Sequence, residues 1–456
     1  MEDNFFISPK YKNWIDRVIE ETKTFDRIIK GVYNSTAKEV YGSSSPEIAV
    51  FAYGSPGRIE LIGGDSDADI FIAERERTPQ SEKLKKLLKE RWAKFDFSKV
   101  DTPTWSTYKD IDIYLTKSLV EGNQILETRF LIGDETIARD IETKKQHFDS
   151  IERELQNIIF NKLYFNQYFK QRVRDGNINI KYCSGGSRDF LFFYWNNRLN
   201  QKRKKEKELG LYVPQVKQGL QRLLEEGKIS DRELIDTLDA IGFSMSIRSD
   251  ILKINKEGVD RGLTFLDDGT LNRLQTLGYP PPELTRKTFN ECRNIVKNIS
   301  KIVWEEVIKT AGTIRGLEWE RNFRLAYDFR TSESVRSQIS SDDSLMSIAL
   351  IWGASDSSQE NLFNILAEKY KKSTNWAIIG SIVCSPLCSS EILHHFGTEQ
   401  LKEKGYGYLL RVVARNKNVK KETLESIAED PKLEKRYTEV AKIALKGGTD
   451  LANNQI

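Results

Sequence analysis

Two aspartates in the segment Tyr53–Ile72, YGSPGRIELIGGDSDADIFI, are the residues of this chain best suited to chemistry. Asp67 and Asp69 lie two positions apart, and on an extended strand such residues project from the same face. Paired carboxylates can hold divalent metal ions, which prefer hard oxygen ligands. Two such ions can activate an attacking hydroxyl and stabilise a leaving pyrophosphate. Such a pair is common where a strand begins, so the prediction of Mg²⁺ or Mn²⁺ at Asp67 and Asp69, with nucleotidyl transfer as the reaction, depends on the residues around it.

A glycine-rich turn precedes these aspartates. Gly54 and Ser55 follow a short apolar run, and a turn of this composition can present backbone N–H groups and a hydroxyl to phosphate oxygens. Arg58 adds a positive charge to the same turn. We predict that Gly54, Ser55 and Arg58 bind the phosphates of a nucleotide.

A third carboxylate is expected from the segment KDIDIYL. Its apolar residues predict a strand over Ile111–Leu115, on which Asp112 faces away from Ile111 and Ile113 and to the same side as Asp110. Asp112 is favoured because apolar residues flank it on both sides, and Asp110 is the alternative. Asp112 would complete a catalytic and metal-binding triad with the two earlier aspartates.

The elements that must position these residues follow from hydrophobic periodicity. An amphipathic helix is predicted over 9–40, strands over Ile48–Tyr53 and Asp69–Ala73, and a basic helix over 80–95. Together with the third strand they predict a small α/β domain. From about 120 to 312, long helical segments with few strand signals predict an all-α region.

The last third of the chain contains an internal repeat with a period of 31 residues. Each unit is predicted to be a polar turn followed by a helix with one apolar face, and units of this size must stack as an α-solenoid to bury that face. The spacing resembles HEAT or leucine-rich-variant repeats. The stacked surface could bind a partner or could only cap the helical region. The aligned positions are Ala354, Ser385 and Asn416; Glu360, Glu391 and Glu422; Leu362, Leu393 and Leu424; and Ile365, Phe396 and Ile427.

The Gly-Ser turn, the Asp-x-Asp pair and a later strand aspartate resemble the signature of the DNA polymerase β-type nucleotidyltransferase superfamily. Within it, GSPGRIE followed by SDAD is similar to the bacterial PII-protein uridylyltransferases. LETRFLIGDETI at 126–137, NIKYCSGGSRDFLFFYWNNRL and the stretch 223–252 are similar to later segments of the same enzymes. The resemblance covers about 45–310 and implies an α/β nucleotidyltransferase domain, a small mixed sheet with helices, followed by an all-α domain.

With the repeat, the predicted domains are therefore a catalytic domain at 1–120, a helical uridylyltransferase-like domain at 121–325 and a solenoid at 326–456. Each is within the usual size range of a domain.

A second glycine turn in the helical region, KYCSGGSRD, matches an element of these enzymes at Lys181, Gly185, Gly186, Arg188 and Asp189. The turn could bring Lys181 and Arg188 to the triphosphate or the acceptor, with Asp189 orienting the arginine. Alternatively, Arg188 and Asp189 form a buried ion pair that joins two domains. Both interpretations stay open.

Full-length uridylyltransferases also carry a metal-dependent His-Asp hydrolase, which His147, His394 and His395 cannot supply. We therefore expect a transferase without the reverse activity, and no inherited role in nitrogen regulation. The first hypothesis is transfer of a nucleoside monophosphate from a nucleoside triphosphate to a hydroxyl. The favoured acceptor is a protein that binds to the repeats. The second is an oligonucleotide or nucleotide-signal synthase of an anti-phage or toxin–antitoxin type, which could use a nucleotide or one of its own hydroxyls as primer. The third is a non-catalytic scaffold.

Composition restricts these hypotheses only weakly. Lys and Arg total 71 against 67 for Asp and Glu, so a net charge of +4 does not indicate a nucleic-acid partner. The charge run at 201–208 is either a solvated surface or a phosphate-binding site.

With no signal peptide or membrane span in the sequence, we expect a cytoplasmic protein. Cys384 and Cys388, near His394 and His395, could form a zinc site, but their spacing favours core thiols.

Overall fold

The computed structural model describes most of the chain, and Asp67, Lys181 and Arg188 lie outside its described residues. The chain divides into two compact units, one of 1–115, 122–151 and 175–303, the other of 116–121, 152–174 and 304–456. The described residues are 14–42, 47–59, 69–92, 94, 104–117, 120–148, 151–168, 178, 180, 183, 185–186, 189–204, 215–254, 266–341, 343–402, 407–431, 433 and 435–454.

A mixed sheet forms the centre of the first unit. Within the described residues its strands are β1 (Ile48–Ala52), β2 (Ile70–Glu74), β3 (Thr104–Thr107) and β4 (Arg129–Gly133), in the order β3-β2-β1-β4. Strand β1 is antiparallel to both β2 and β4, whereas β2 and β3 are parallel.

Helices cover both faces of this sheet. On one face lie α1 (Trp14–Tyr41) and, after the single turn α2 (Gly54–Gly57), α3 (Pro79–Trp92). They bury Tyr33 and Trp92 against Val50 and Ile72. The other face packs against α4 (Tyr108–Lys117), α5 (Val120–Leu126) and α6 (Glu135–Phe148). Because successive strand residues point to opposite faces, neighbouring residues of one strand enter different cores.

The predicted strand over Ile111–Leu115 is wrong, because these residues belong to helix α4. Strand β3 ends at Thr107, whose backbone N–H donates to the Asp110 side chain at 3.3 Å. An acidic side chain three positions into a helix commonly accepts from this N–H and so helps to start the helix. Ile111 and Leu115 are fully buried, which fits the i, i+4 spacing of a helix face.

Strand β4 was not expected from the sequence, and it carries the sheet past residue 120, where we expected the first domain to end. It is short and half-exposed, with a burial pattern that lacks regular alternation. The predicted helix over 9–40, the strands at Ile48–Tyr53 and Asp69–Ala73 and the helix over 80–95 are confirmed, and the ends that the structure describes differ by one to three residues; residues 9–13 lie outside the described residues.

Helix α7 (Ile151–Tyr168), apart from its first residue, belongs to the second unit. The helices that complete the described part of the first unit are α8 (Phe190–Lys204), α9 (Gln215–Glu225), α10 (Asp231–Ile254), α11 (Asp268–Thr276) and α12 (Pro282–Arg315), whose residues from 304 onward belong to the second unit. Helices α8 and α9 approach closely, since a Cβ on Gly219 would lie 2.2 Å from the Phe193 carbonyl oxygen. No helix in the described residues is long and apolar enough to cross a membrane.

The second unit contains stacked helix pairs. They are α13 (Leu317–Tyr327) with α14 (Glu333–Arg336), α15 (Ser344–Asp356) with α16 (Glu360–Lys369), α17 (Trp376–Val383) with α18 (Ser390–Thr398), and α19 (Gly407–Arg415) with α20 (Lys421–Ala428), followed by α21 (Lys435–Asn454). Successive first helices pack on each other, as expected for a solenoid.

The repeat is real, but its register in the first aligned unit differs from the expected one. Ile365 is 58% exposed, although Phe396 and Ile427 at the aligned positions are fully buried. Leu366, one residue later, takes the buried position instead, so the period is 30 residues from Leu366 to Phe396 and 31 from Phe396 to Ile427.

Hydrogen bonds between neighbouring units follow the same corrected register. The Ser355 and Ser385 hydroxyls lie 2.6 Å apart, and the Asn416 side-chain amide donates to the Ser385 carbonyl oxygen at 2.9 Å. Ser355 thus takes the position that we had expected for Ala354.

Candidate functional site

The Gly54 turn lies directly against Asp69. The Tyr53 N–H donates to the Asp69 carbonyl oxygen at 3.0 Å, where β1 ends beside the beginning of β2. Gly54 has φ +58°, and a Cβ built on it would lie 2.1 Å from Asp69 Oδ2. A side chain at residue 54 would therefore displace the carboxylate. Gly54, Ser55 and Asp69 are all partly exposed, so the structure brings three predicted site residues together at an accessible turn.

Arg58, which ends this turn, makes an ion pair with Glu127. Its Nη1 donates to Glu127 Oε2 at 2.8 Å, and the two side chains are only 11% and 8% exposed. Trp195 Nε1 donates to the other Glu127 oxygen at 3.3 Å, and the Arg58 guanidinium lies 5.8 Å from the centre of the Tyr194 ring. Arg58 is thus held by protein groups in this structure.

Arg129 contacts the same turn from strand β4. It makes a bidentate ion pair with buried Asp26 of α1, at 2.7 and 2.9 Å, and its Nη2 also donates to the Pro56 carbonyl oxygen at 3.1 Å. Gly57 leaves no space beside this segment, because a Cβ there would lie 2.8 Å from the Glu127 carbonyl oxygen. The segment 127–129 therefore packs along the turn. We predicted no role for this segment from the sequence, although its residues belong to LETRFLIGDETI, which resembles a segment of the uridylyltransferases.

The structure places Asp110 and Asp112 away from Asp69. Asp69 lies just before β2, whereas both other aspartates follow β3, which ends beside Glu74 at the far end of β2. Five strand residues span about 16 Å between these ends. Asp110 is buried, and the Asp112 carboxylate pairs with Lys144. In a helix, residues two apart also do not share a face.

The residues that the structure describes do not form a site of three carboxylates. They contain no group of three or more His, Cys, Asp or Glu that could hold a metal ion. Asp67 lies outside this set. The role of Asp67 as a metal ligand therefore stays a prediction. For Asp112, that prediction now depends on the resemblance alone, because its strand geometry was wrong.

The second glycine turn is closed by Asp189. Asp189 Oδ2 accepts from the Gly185 N–H at 2.6 Å, and Gly185, at φ +78°, would place a Cβ 2.1 Å from the Arg293 carbonyl oxygen. Burial raises the pKa of the neighbouring Cys183 thiol to about 11. Asp189 therefore has a structural partner in the turn itself, and the roles of Lys181 and Arg188 stay predictions.

Cys384 and Cys388 lie in the core of the second unit. Both are buried, and burial raises both thiol pKa values above the usual range. His394 Nδ1 lies 2.9 Å from the Thr423 hydroxyl, and His395 pairs with Glu399. The burial of both thiols agrees with the expectation that they belong to the core.

No protein-family model matches the chain. Over 249 residues the chain is 24% identical to a bifunctional uridylyltransferase/uridylyl-removing enzyme of Erythrobacter litoralis (strain HTCC2594). The match covers 53% of this chain and 25% of that protein, so the chain corresponds to about a quarter of its relative's length. This chain is thus distantly similar, over about half its length, to a protein named as a uridylyltransferase, which supports a relationship to nucleotidyltransferases.

Proposed function

We propose that this protein transfers a nucleoside monophosphate from a nucleoside triphosphate to a hydroxyl acceptor and releases pyrophosphate. The observation that carries the proposal is the position of the Asp69 carboxylate beside Gly54 at a partly exposed turn, where a Cβ on residue 54 would lie 2.1 Å from Asp69 Oδ2. A carboxylate beside a glycine-serine turn combines a metal ligand with groups that can bind phosphate. The distant similarity to a uridylyltransferase supports the same class of reaction.

The donor chemistry of this turn fits Mg²⁺ or Mn²⁺. Asp69 is a partly exposed residue with carboxylate oxygens, and Asp67, two residues earlier, would be the second ligand in our proposal. Bound metal ions would supply charge stabilisation to the triphosphate and the attacking oxygen. Asp112 is kept as the proposed third ligand, with Asp110 as its alternative, on the resemblance only.

Protein groups at the turn would orient the substrate. We propose that Gly54 binds phosphate through its backbone and Ser55 through its hydroxyl, since both residues are partly exposed. Lys181 and Arg188 are proposed to bind the triphosphate. Positive charge near phosphate favours binding through charge-assisted hydrogen bonds.

A protein acceptor is favoured in this proposal because the second unit is a stack of helix pairs. Such solenoids create extended surfaces on which a protein partner can bind. The name of the relative makes UTP the first nucleotide to test. A nucleotide or oligonucleotide acceptor, as in an anti-phage or toxin–antitoxin synthase, is the alternative that the assay must separate.

The test uses the purified full chain with Mg²⁺ or Mn²⁺ and each α-labelled nucleoside triphosphate, with and without cell extract depleted of nucleotides. Denaturing gels and nucleotide chromatography identify the product. Label on a protein supports the favoured acceptor, and labelled oligomers support the synthase. Absence of any product under all conditions would support a non-catalytic scaffold and refute the proposal.

Matched variants then test the site. Asp69→Asn and Asp67→Asn each remove one negative charge, and we expect at least a hundredfold loss of turnover without loss of fold. The control is Asp236→Asn, because Asp236 lies on the surface of the same unit in a loose pair with Arg232 at 3.7 Å. The metal assignment fails if Asp69→Asn retains activity comparable to that control.

A further inference from the structure

Two neighbouring residues of one segment contact the Gly54–Arg58 turn through different atoms. Glu127 binds the Arg58 side chain, and Arg129 binds the Pro56 carbonyl oxygen while pairing with Asp26. These contacts join the turn to helix α1 and, through Trp195 and Glu127, to helix α8. Asp69 packs against Gly54 of the same turn.

We propose that Glu127 and Arg129 are positioning residues that hold the Gly54–Arg58 turn against Asp69, and that Arg58 is their anchor in the turn rather than a phosphate ligand. The kinetic part of this inference rests on the proposed function. The Arg58 guanidinium is directed into an ion pair whose two side chains are about nine-tenths buried. Binding a phosphate would require it to leave Glu127 buried without its cation, which is costly.

The turn depends on outside contacts because little within it is regular. Its helical part is a single turn of four residues, Gly54–Gly57. The Gly57 N–H donates to the Tyr53 carbonyl oxygen at 3.1 Å, and the Arg58 N–H donates to the Gly54 carbonyl oxygen at 3.0 Å. Ile59, which follows, has φ +61°, a conformation that is unfavourable for a β-branched residue. An isolated turn of this length is not stable by itself.

Glu127→Gln is the sharpest perturbation. The glutamine side chain keeps the shape of glutamate but loses the charge, and one end of its amide is a donor. Both groups that face Glu127, the Arg58 Nη1 and the Trp195 Nε1, are also donors, so one contact must be lost. The Glu127→Asp variant keeps the charge and serves as the conservative rescue.

The first measurement is hydrogen exchange of a peptide covering 53–59 in the full chain, which needs no activity. We expect exchange at Gly57 and Arg58 to accelerate about tenfold or more in Glu127→Gln and less in Glu127→Asp. Leu84→Ala is the control, because it weakens the core on the α3 face of the sheet without touching the turn. Unchanged exchange in Glu127→Gln relative to this control would overturn the inference.

The second measurement is a split of kcat and KM for the nucleotide. We expect Glu127→Gln and Arg58→Lys each to lower kcat about a hundredfold with KM nearly unchanged, since a misplacement of about 1 Å costs that much. The kcat of the double variant should be no lower than that of the slower single variant, because both substitutions remove the same contact. A large rise in KM in Arg58→Lys, with normal kinetics in Glu127→Gln, would instead make Arg58 a phosphate ligand. If the wild type shows no turnover, the proposed function fails, and the exchange measurement alone decides whether the segment holds the turn.

Discussion

Replacing Gly54 by alanine tests the contact on which the proposed function depends. Gly54 has φ +58°, and a Cβ there would lie 2.1 Å from Asp69 Oδ2, whereas real Cβ contacts essentially never fall below 3.0 Å. The carboxylate must therefore move by about 1 Å, a displacement that can reduce catalysis about a hundredfold. Its oxygen is the far end of a flexible side chain, so the movement itself is inexpensive.

A matched control separates this displacement from backbone strain. Gly42 has φ +71°, and no heavy atom lies within 4 Å of a Cβ built on it. Gly42→Ala and Gly54→Ala should each lower the free energy of unfolding by about 1–2 kcal/mol, the usual cost of a left-handed conformation for alanine. Only Gly54→Ala should also lose turnover.

The measurements are denaturant unfolding and the nucleotidyl-transfer assay on both variants. If Gly54→Ala and Gly42→Ala both keep the wild-type turnover, the position of the Asp69 carboxylate against Gly54 is unimportant for activity. Equal loss of turnover in both variants would attribute the effect to strain or stability alone. Either result would refute the reasoning from the contact.

Three further outcomes follow from the structure. In denaturant titrations of the solenoid, Leu366→Ala should lower the free energy of unfolding by about 2–5 kcal/mol, and Ile365→Ala should lower it by less than about 0.5 kcal/mol. A larger loss in Ile365→Ala than in Leu366→Ala would support a uniform 31-residue register instead. Asp112→Asn should change stability by less than about 1 kcal/mol, since its ion pair is partly exposed, and a tenfold or greater loss of turnover would identify it as the third carboxylate. A hydrogen bond from Lys420 lowers the pKa of Glu391 to about 2, so this pair stabilises the fold above pH 4.5 and loses that effect as pH falls toward 2; Lys420→Met should flatten this part of the pH–stability curve.

The error at Ile111–Leu115 shows how local patterns compete. Ile111, Ile113 and Leu115 alternate with polar residues, which predicts a strand, while Ile111 and Leu115 also have the i, i+4 spacing of a helix. The Asp110 contact with the Thr107 N–H favours the helix, and Thr107 is the last residue of β3. A pattern of five residues could not decide between these structures without knowing where the preceding strand ends.

The predicted register of the first repeat was wrong for a related reason. Aligning Glu360 with Glu391 matched residue types, but the buried side chains match only if the first unit is shorter by one residue. Burial depends on which neighbouring helix covers a residue, and this is a tertiary property. The exposed Ile365 has the same residue type as buried Ile427, so the sequence alone could not distinguish them.

The sequence by itself determined the elements whose signals are local, namely the long first helix, the two strands around the glycine turn and helix α3. It also showed that the last third of the chain contains repeats. Periodicity and turn composition are readable within a short window. It also identified Gly54, Ser55 and Asp69, which the structure brings together. The partners of Arg58 and Arg129 were decided only by tertiary structure, because Glu127 lies 69 positions from Arg58 and Asp26 lies 103 from Arg129. No local pattern specifies which distant charge a buried arginine will meet.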